Sequence, residues 1–192
     1  MNFIGLKKYV EEEILPKLSS NLYYHGPHHT QDVYESAMRI SAYYKLDEAS
    51  TVKIGAAALL HDAGYIIRYA DNESLACEMA RKLLPEFGFS EKDCDEICGM
   101  IMATQVPQKP NTLAEQILCD ADLDYLGRDD FQKGAENLYQ EFLDRGIVRN
   151  MEHWDEVQVR FISNHQFFTE YSTKFREPAK QIHLQNLLQK LA

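Results

Sequence analysis

An apolar run, Ala56-Ala57-Ala58-Leu59-Leu60, leads directly into His61-Asp62 and is stopped by Ala63-Gly64. An imidazole and a carboxylate side by side are metal-ligand chemistry, but two groups leave most of a divalent ion's coordination open. Neighbouring helical residues point about 100° apart, so His61 and Asp62 cannot stack on one face, yet both can reach an ion placed off the helix end. Two other stretches offer further ligands. Upstream lie His25, His28 and His29, in Tyr24-His25-Gly26-Pro27-His28-His29; downstream lie Asp120, Asp122 and Asp124, in Cys119-Asp120-Ala121-Asp122-Leu123-Asp124. Asp120 and Asp124 fall about 200° either side of Asp122 around a helix axis, so the three carboxylates cannot all face one ion.

The order His, His-Asp, Asp resembles the HD-domain superfamily of metal-dependent phosphohydrolases, over about residues 22 to 130. The resemblance rests on the Tyr-His-Gly-X-X-His lead-in, the leucine-rich run before His61-Asp62 and the Asp-Ala-Asp-Leu-Asp segment. It selects His29, one helical turn before Val33, and Asp122, which precedes a leucine. The implied ligands are therefore His29, His61, Asp62 and Asp122, holding one divalent ion of Mn, Fe, Co, Ni, Zn or Mg. Two imidazoles favour a transition metal over Mg. Such an ion would activate water for attack on phosphorus. Catalytic roles fall to Asp62 and to Glu73, which could orient the attacking water.

Two departures from the family pattern bear on this. Two-metal members resemble this chain but carry extra histidines between the His-Asp pair and the last aspartate. Here no histidine lies between Asp62 and Asp122, and Asn72-Glu73 and Thr104-Gln105 stand in the corresponding places. A mononuclear site is expected, and diiron oxygenase chemistry on the same fold is disfavoured. Tyr65 occupies the position of an acidic helper found in some relatives.

Candidate substrate contacts are Arg68, Lys109, Arg128 and His165. Arg68 could hold a phosphate bidentately. The bland alternative for the three cations is a solvated surface charge, and for His165 a hydrogen-bonded core histidine. The rival function is a regulatory module of the same fold that binds ion and ligand without turnover.

The elements that must position these groups are read from hydrophobic periodicity, which is helical nearly throughout. An all-α, single-domain bundle over residues 1–192 is expected, its motif-bearing part about 22–130 and helices of 131–192 packing on it. Helices are expected over about Asn2 to Leu18, immediately after the Gly26-Pro27 break with a stripe of Val33, Ala37, Ile40 and Tyr44, over Glu48 to Ala63 and Asn72 to Leu84, and from Ser90. Thr112 with Glu115 makes a capping box for the helix carrying Asp122. Gly64 is expected in the left-handed position after a helix end. Trp154, Val157, Phe161, His165 and Phe168 form one stripe, and the chain closes on a helix bearing Leu184, Leu187, Leu188 and Leu191.

The 192 residues suffice for a sizeable core, and the net charge of −10 opposes nucleic-acid polymers as partners. A small phosphorylated substrate remains compatible, since a bound cation reverses the local sign. The N-terminus lacks a signal-peptide core and no stretch is apolar enough to cross a bilayer, so a cytoplasmic location without membrane contact is expected. A homodimer is compatible with the sequence. Cys77, Cys94, Cys98 and Cys119 are expected as small buried hydrophobes.

Overall fold

In the computed structural model, which describes residues 1–191, the chain forms ten α-helices and, among the described residues, no strand. Helix α1 (Phe3–Tyr9) starts at Asn2, whose side chain accepts from the Gly5 N–H at 3.0 Å. It runs on as a π turn (Val10–Ile14) and a 3-10 turn (Leu15–Lys17), so the single helix expected to Leu18 changes geometry near Pro16, which has no N–H to continue the ladder. Helix α2 (Pro27–Tyr43) begins with proline in its first turn, where the missing N–H costs nothing. That start places His29 in the first turn, buried at 4% exposure.

Helix α3 (Glu48–Leu60) is capped by Asp47, which accepts from the Ser50 N–H at 2.8 Å. An amphipathic surface helix would bury only one stripe. Instead every residue from Ile54 to Leu60 is buried, because α1, α2, α5 and α6 all pack on it. Its alanines and glycine permit that close approach, and a helix apolar on all sides belongs at the centre. His61 caps its C-terminus and Asp62 follows in a non-helical conformation.

Gly64 is not left-handed. It lies in a 3-10 turn (Ala63–Ile66). Glycine is required for space: a Cβ at Gly64 would come within 2.0 Å of the Asn72 carbonyl oxygen. Gly64→Ala is therefore expected to push back the start of α4 (Asn72–Leu83), costing about 2 kcal/mol. Thermal melts of both proteins check this.

Helices α5 (Glu91–Ala103) and α6 (Leu113–Asp122) both open with capping boxes, Ser90 with Asp93 and Thr112 with Glu115. The chain then turns through Asp124–Gly127 into α7 (Phe131–Asp144), α8 (Met151–Asn164), the short α9 (Glu170–Phe175) and α10 (Glu177–Leu191). The stripe read from Trp154 to Phe168 breaks at the end of α8, where His165 takes an extended conformation and Phe168 follows outside the helix. All four cysteines are buried free thiols.

Two apolar clusters result, one built on α1 to α6 and the other on α7, α8 and α10 with Tyr24, Tyr125 and Leu126. Two buried aspartates tie them together. Asp120 accepts from the Phe168 and Thr169 N–H groups at 2.9 and 2.8 Å and from the Thr169 hydroxyl at 2.6 Å. Asp124 accepts from Arg39 and Arg176, each at 2.8 Å, and from the Ser36 hydroxyl at 3.3 Å. The helical phase that turns Asp120 and Asp124 toward these partners leaves Asp122 facing elsewhere.

Candidate metal centre

His29 from the start of α2, His61 from the end of α3 and Asp122 from the end of α6 place one donor atom each within 4.8 Å of one another. The His29 Nε2 is 3.1 Å from Asp122 Oδ1 and 3.4 Å from His61 Nε2. Asp62 joins them, its Oδ2 at 3.2 Å from His61 Nε2 and 3.5 Å from His29 Nε2. The outer contacts fix the orientation of each side chain. His61 Nδ1 lies 2.8 Å from the Ala58 carbonyl oxygen, which can only accept, so Nδ1 carries the proton. That leaves Nε2 to face the cluster. Asn72 donates to Asp62 Oδ1 at 3.0 Å, and Gln108 donates to Asp122 Oδ2 at 3.3 Å.

The arrangement calls for positive charge at its centre. Burial disfavours an imidazolium at His61, yet the Asp62 and Asp122 carboxylates more than offset this and hold its pKa well above the ordinary range. Burial likewise works against the Asp122 carboxylate, and the two histidines overcome it, holding that carboxyl well below its usual value. Asp62 Oδ2 is buried and has no hydrogen-bond partner among the described residues. A buried carboxylate oxygen is costly to leave unpaired. A divalent ion satisfies this donor set, whose mixture of imidazole and carboxylate suits several divalent metals.

A cavity of about 190 Å³ opens on the cluster, between the two apolar cores, with Asp62, Asp122, His25, Tyr65 and Glu73 on one side. Trp154, Phe142, Phe131 and Phe161 line the rest. Glu73 is half-buried, and that burial together with Asp62 and Asp122 raises its pKa. His25 is held from behind by Glu141 of α7: its Nδ1 is 2.6 Å from Glu141 Oε1, and its own N–H donates to Oε2 at 3.2 Å. Tyr69 donates to the same carboxylate at 2.9 Å. Burial opposes the imidazolium of His25, and the hydrogen bond to Glu141 more than compensates, raising its pKa.

A family model for the HD domain matches residues 28–124. The chain belongs to the HD domain family. Two solved structures share the fold. One is a predicted HD superfamily hydrolase from an uncultured Thermotogales bacterium, 23% identical with a TM-score of 0.60 over 98% of this chain and 89% of that one. The other is Bacillus subtilis YpgQ in complex with ADP, 19% identical with a TM-score of 0.68 over 98% and 95%. No curated protein matches significantly. The HD span contains His29, His61, Asp62 and Asp122, whereas Glu141 and the aromatic cavity wall lie C-terminal to it and His25 precedes it.

The HD chain's remaining candidate residues are placed differently. Arg68 is exposed and bonded to Asp71 at 3.0 Å and to the Ala70 carbonyl, away from the cavity. Lys109 is exposed and lines none of the three cavities described. Arg128 pairs with Asp32 at 2.6 Å and with Asp130 at 2.7 Å, and borders a separate cleft behind His29. His165 borders a neighbouring cavity of about 430 Å³ that shares Val106, Leu123, Val157 and Phe161 with the metal-site cavity. The roles of His25 with Glu141 were not read from the sequence, because 116 residues separate the pair and nothing local announces it.

His165 also makes a pH-dependent contribution to stability. Its Nδ1 is 3.2 Å from the ammonium of the buried Lys180, which also donates to the His165 carbonyl at 2.8 Å. Burial and the Lys180 charge push the His165 pKa down to about 4. The unfolded chain, with an ordinary value near 6.5, takes up that proton first, so stability is lost as pH falls from about 6.5 to about 4. The loss is on the order of 2 kcal/mol. His165→Asn is expected to shrink the decline in melting temperature between neutral and mildly acidic pH, which calorimetry of both proteins checks.

Proposed function

We propose that this HD protein is a mononuclear, divalent-metal-dependent phosphohydrolase of a small phosphorylated compound, with His29, His61, Asp62 and Asp122 as the ligands. One observation carries the reading: the unpartnered, buried Asp62 Oδ2 beside two imidazole nitrogens, at the edge of a cavity large enough for a small ligand. The ADP bound to YpgQ, a protein of the same fold, supports a small phosphorylated ligand. A bound divalent ion supplies Lewis acidity at phosphorus and acidifies the attacking water.

The chain's own groups do the rest. Asn72 and Gln108 fix the two carboxylates, and outer contacts of this kind are worth 10- to 100-fold in metal affinity or activity. Glu73, whose carboxyl is raised by burial and by the nearby Asp62 and Asp122, accepts the proton of the water whose oxygen bonds to phosphorus. As the phosphorus–oxygen bond to the leaving group breaks, His25 gives that oxygen a proton from Nε2, the nitrogen not engaged by Glu141. The products are a free alcohol and inorganic phosphate.

The test is turnover of phosphomonoesters and nucleotides by protein reloaded with Mn, Co, Ni or Mg; retention of ligand without phosphate release would favour the regulatory module instead. His25→Ala refines it. On alkyl phosphoesters kcat should drop about 10²-fold. On p-nitrophenyl phosphate, whose leaving group departs without a proton, the loss should be much smaller. Equal losses on both substrates would remove His25 from proton donation.

A further inference from the structure

Two of the four cysteines meet where α4 packs on α5. Cys77 of α4 and Cys98 of α5 are 21 residues apart in sequence, and each sulfur reaches the other residue's backbone. Cys77 Sγ is 3.5 Å from the Cys98 carbonyl oxygen, and Cys98 Sγ is 3.7 Å from that of Cys77. The two thiols are also hydrogen-bonded to one another. Both residues are largely buried, at 8% and 5% exposure, but an exposed ion pair lies beside them. It joins Arg81, one turn beyond Cys77, to Asp95, one turn before Cys98, at 2.7 Å. Cys119 stands apart on α6, where its thiol donates to the Ala103 carbonyl at 3.1 Å.

These surroundings give the sulfurs different reactivities. The hydrogen bond from Cys77, helped by the Arg81 guanidinium, holds the Cys98 thiol down to about 7, whereas the same pairing and burial push Cys77 up. Burial raises Cys94 and Cys119, which stay protonated and inert. We propose that Cys77 and Cys98 are an oxidisable dithiol, a modification site that hydrogen peroxide converts reversibly into a disulfide bridging α4 and α5. The Cys98 thiolate attacks one peroxide oxygen and the O–O bond breaks. Hydroxide leaves, taking up the proton that Cys98 released on ionising, and Cys98 becomes a sulfenic acid. The Cys77 sulfur then attacks the Cys98 sulfur, and its proton departs with the hydroxyl as water. Two thiols are oxidised and one peroxide is reduced to two waters. The bridge ties α4, whose first turn carries Asn72 and Glu73, to the helix that ends beside Thr104 on the cavity wall. None of this depends on the hydrolase reading.

The test treats the full chain with a small excess of hydrogen peroxide, quenches with catalase, then unfolds and alkylates it with N-ethylmaleimide for intact mass and peptide mapping. Two thiols per chain should be alkylated instead of four, with Cys77 and Cys98 recovered in one cross-linked peptide. Dithiothreitol should return the count to four. The oxidised chain should melt roughly 5 to 15 °C above the reduced one, because the bridge closes a loop in the unfolded chain. Cys77→Ala should stop at the Cys98 sulfenic acid, which dimedone traps. Cys98→Ala should leave Cys77 unreacted, and Cys119→Ser should oxidise as the parent does. Four alkylatable thiols after peroxide would overturn the proposal. So would a bridge through Cys94 or between chains, a parent Cys98 that runs on to sulfinic acid, or oxidation that lowers the melting temperature.

Discussion

Asp62→Ala is expected to lower kcat/KM on any phosphoester by about 10³-fold or more, while leaving the helical content unchanged. The side chain is a proposed ligand oxygen, the acceptor for Asn72 and a neighbour of both imidazoles. Its loss removes negative charge from the centre of the cluster, so bound metal should fall with activity. Asn72→Ala provides the graded comparison. It leaves Asp62 in place but unanchored, and the expected loss is only about 10- to 100-fold. Steady-state kinetics with added metal, beside circular dichroism, separates the two. Activity of Asp62→Ala within tenfold of the parent would contradict the assignment.

The second large effect concerns stability and leaves the metal alone. Asp124 is fully buried and accepts from Arg39 and Arg176 while Arg128 stands 3.5 Å away. Truncating it to alanine leaves three guanidinium groups around a site that held their common counter-charge. Removing one member of a buried, hydrogen-bonded ionic network costs about 3 to 5 kcal/mol. For a chain of this size that corresponds to a fall in melting temperature of about 6 to 20 °C. Exposed pairs such as Arg68 with Asp71 should contribute little when broken, and Asp71→Ala is the control. Metal stoichiometry measured below the transition should be the same in Asp124→Ala as in the parent.

Much of the centre was legible because its signals are local. His61-Asp62 follows an apolar run, His29 follows a helix-starting Gly-Pro, and Asp122 sits in a helix whose capping box is written in four residues. Helical phase also explained why only one of three nearby aspartates could face the ion, though not what the other two do. Asp120 and Asp124 serve partners 48 and 52 residues away, and such pairings leave no trace in spacing. The same holds for Glu141 behind His25. Gly64 illustrates a different limit: its requirement was visible, but the cause is the approach of Asn72 and not a left-handed turn. The stripe of α8 is packed into the second apolar cluster, and Trp154, Val157 and Phe161 also line a cavity, since periodicity marks an apolar face without saying how completely a neighbour fills it.

Elemental analysis of the purified protein tests directly whether one cation is held by four side chains from three segments of the chain. One divalent ion per chain is expected in the parent protein, with none retained by Asp62→Ala or by His29→Ala combined with Asp122→Ala. Two ions per chain would contradict the mononuclear site. An undiminished metal content in those variants would place the ion elsewhere.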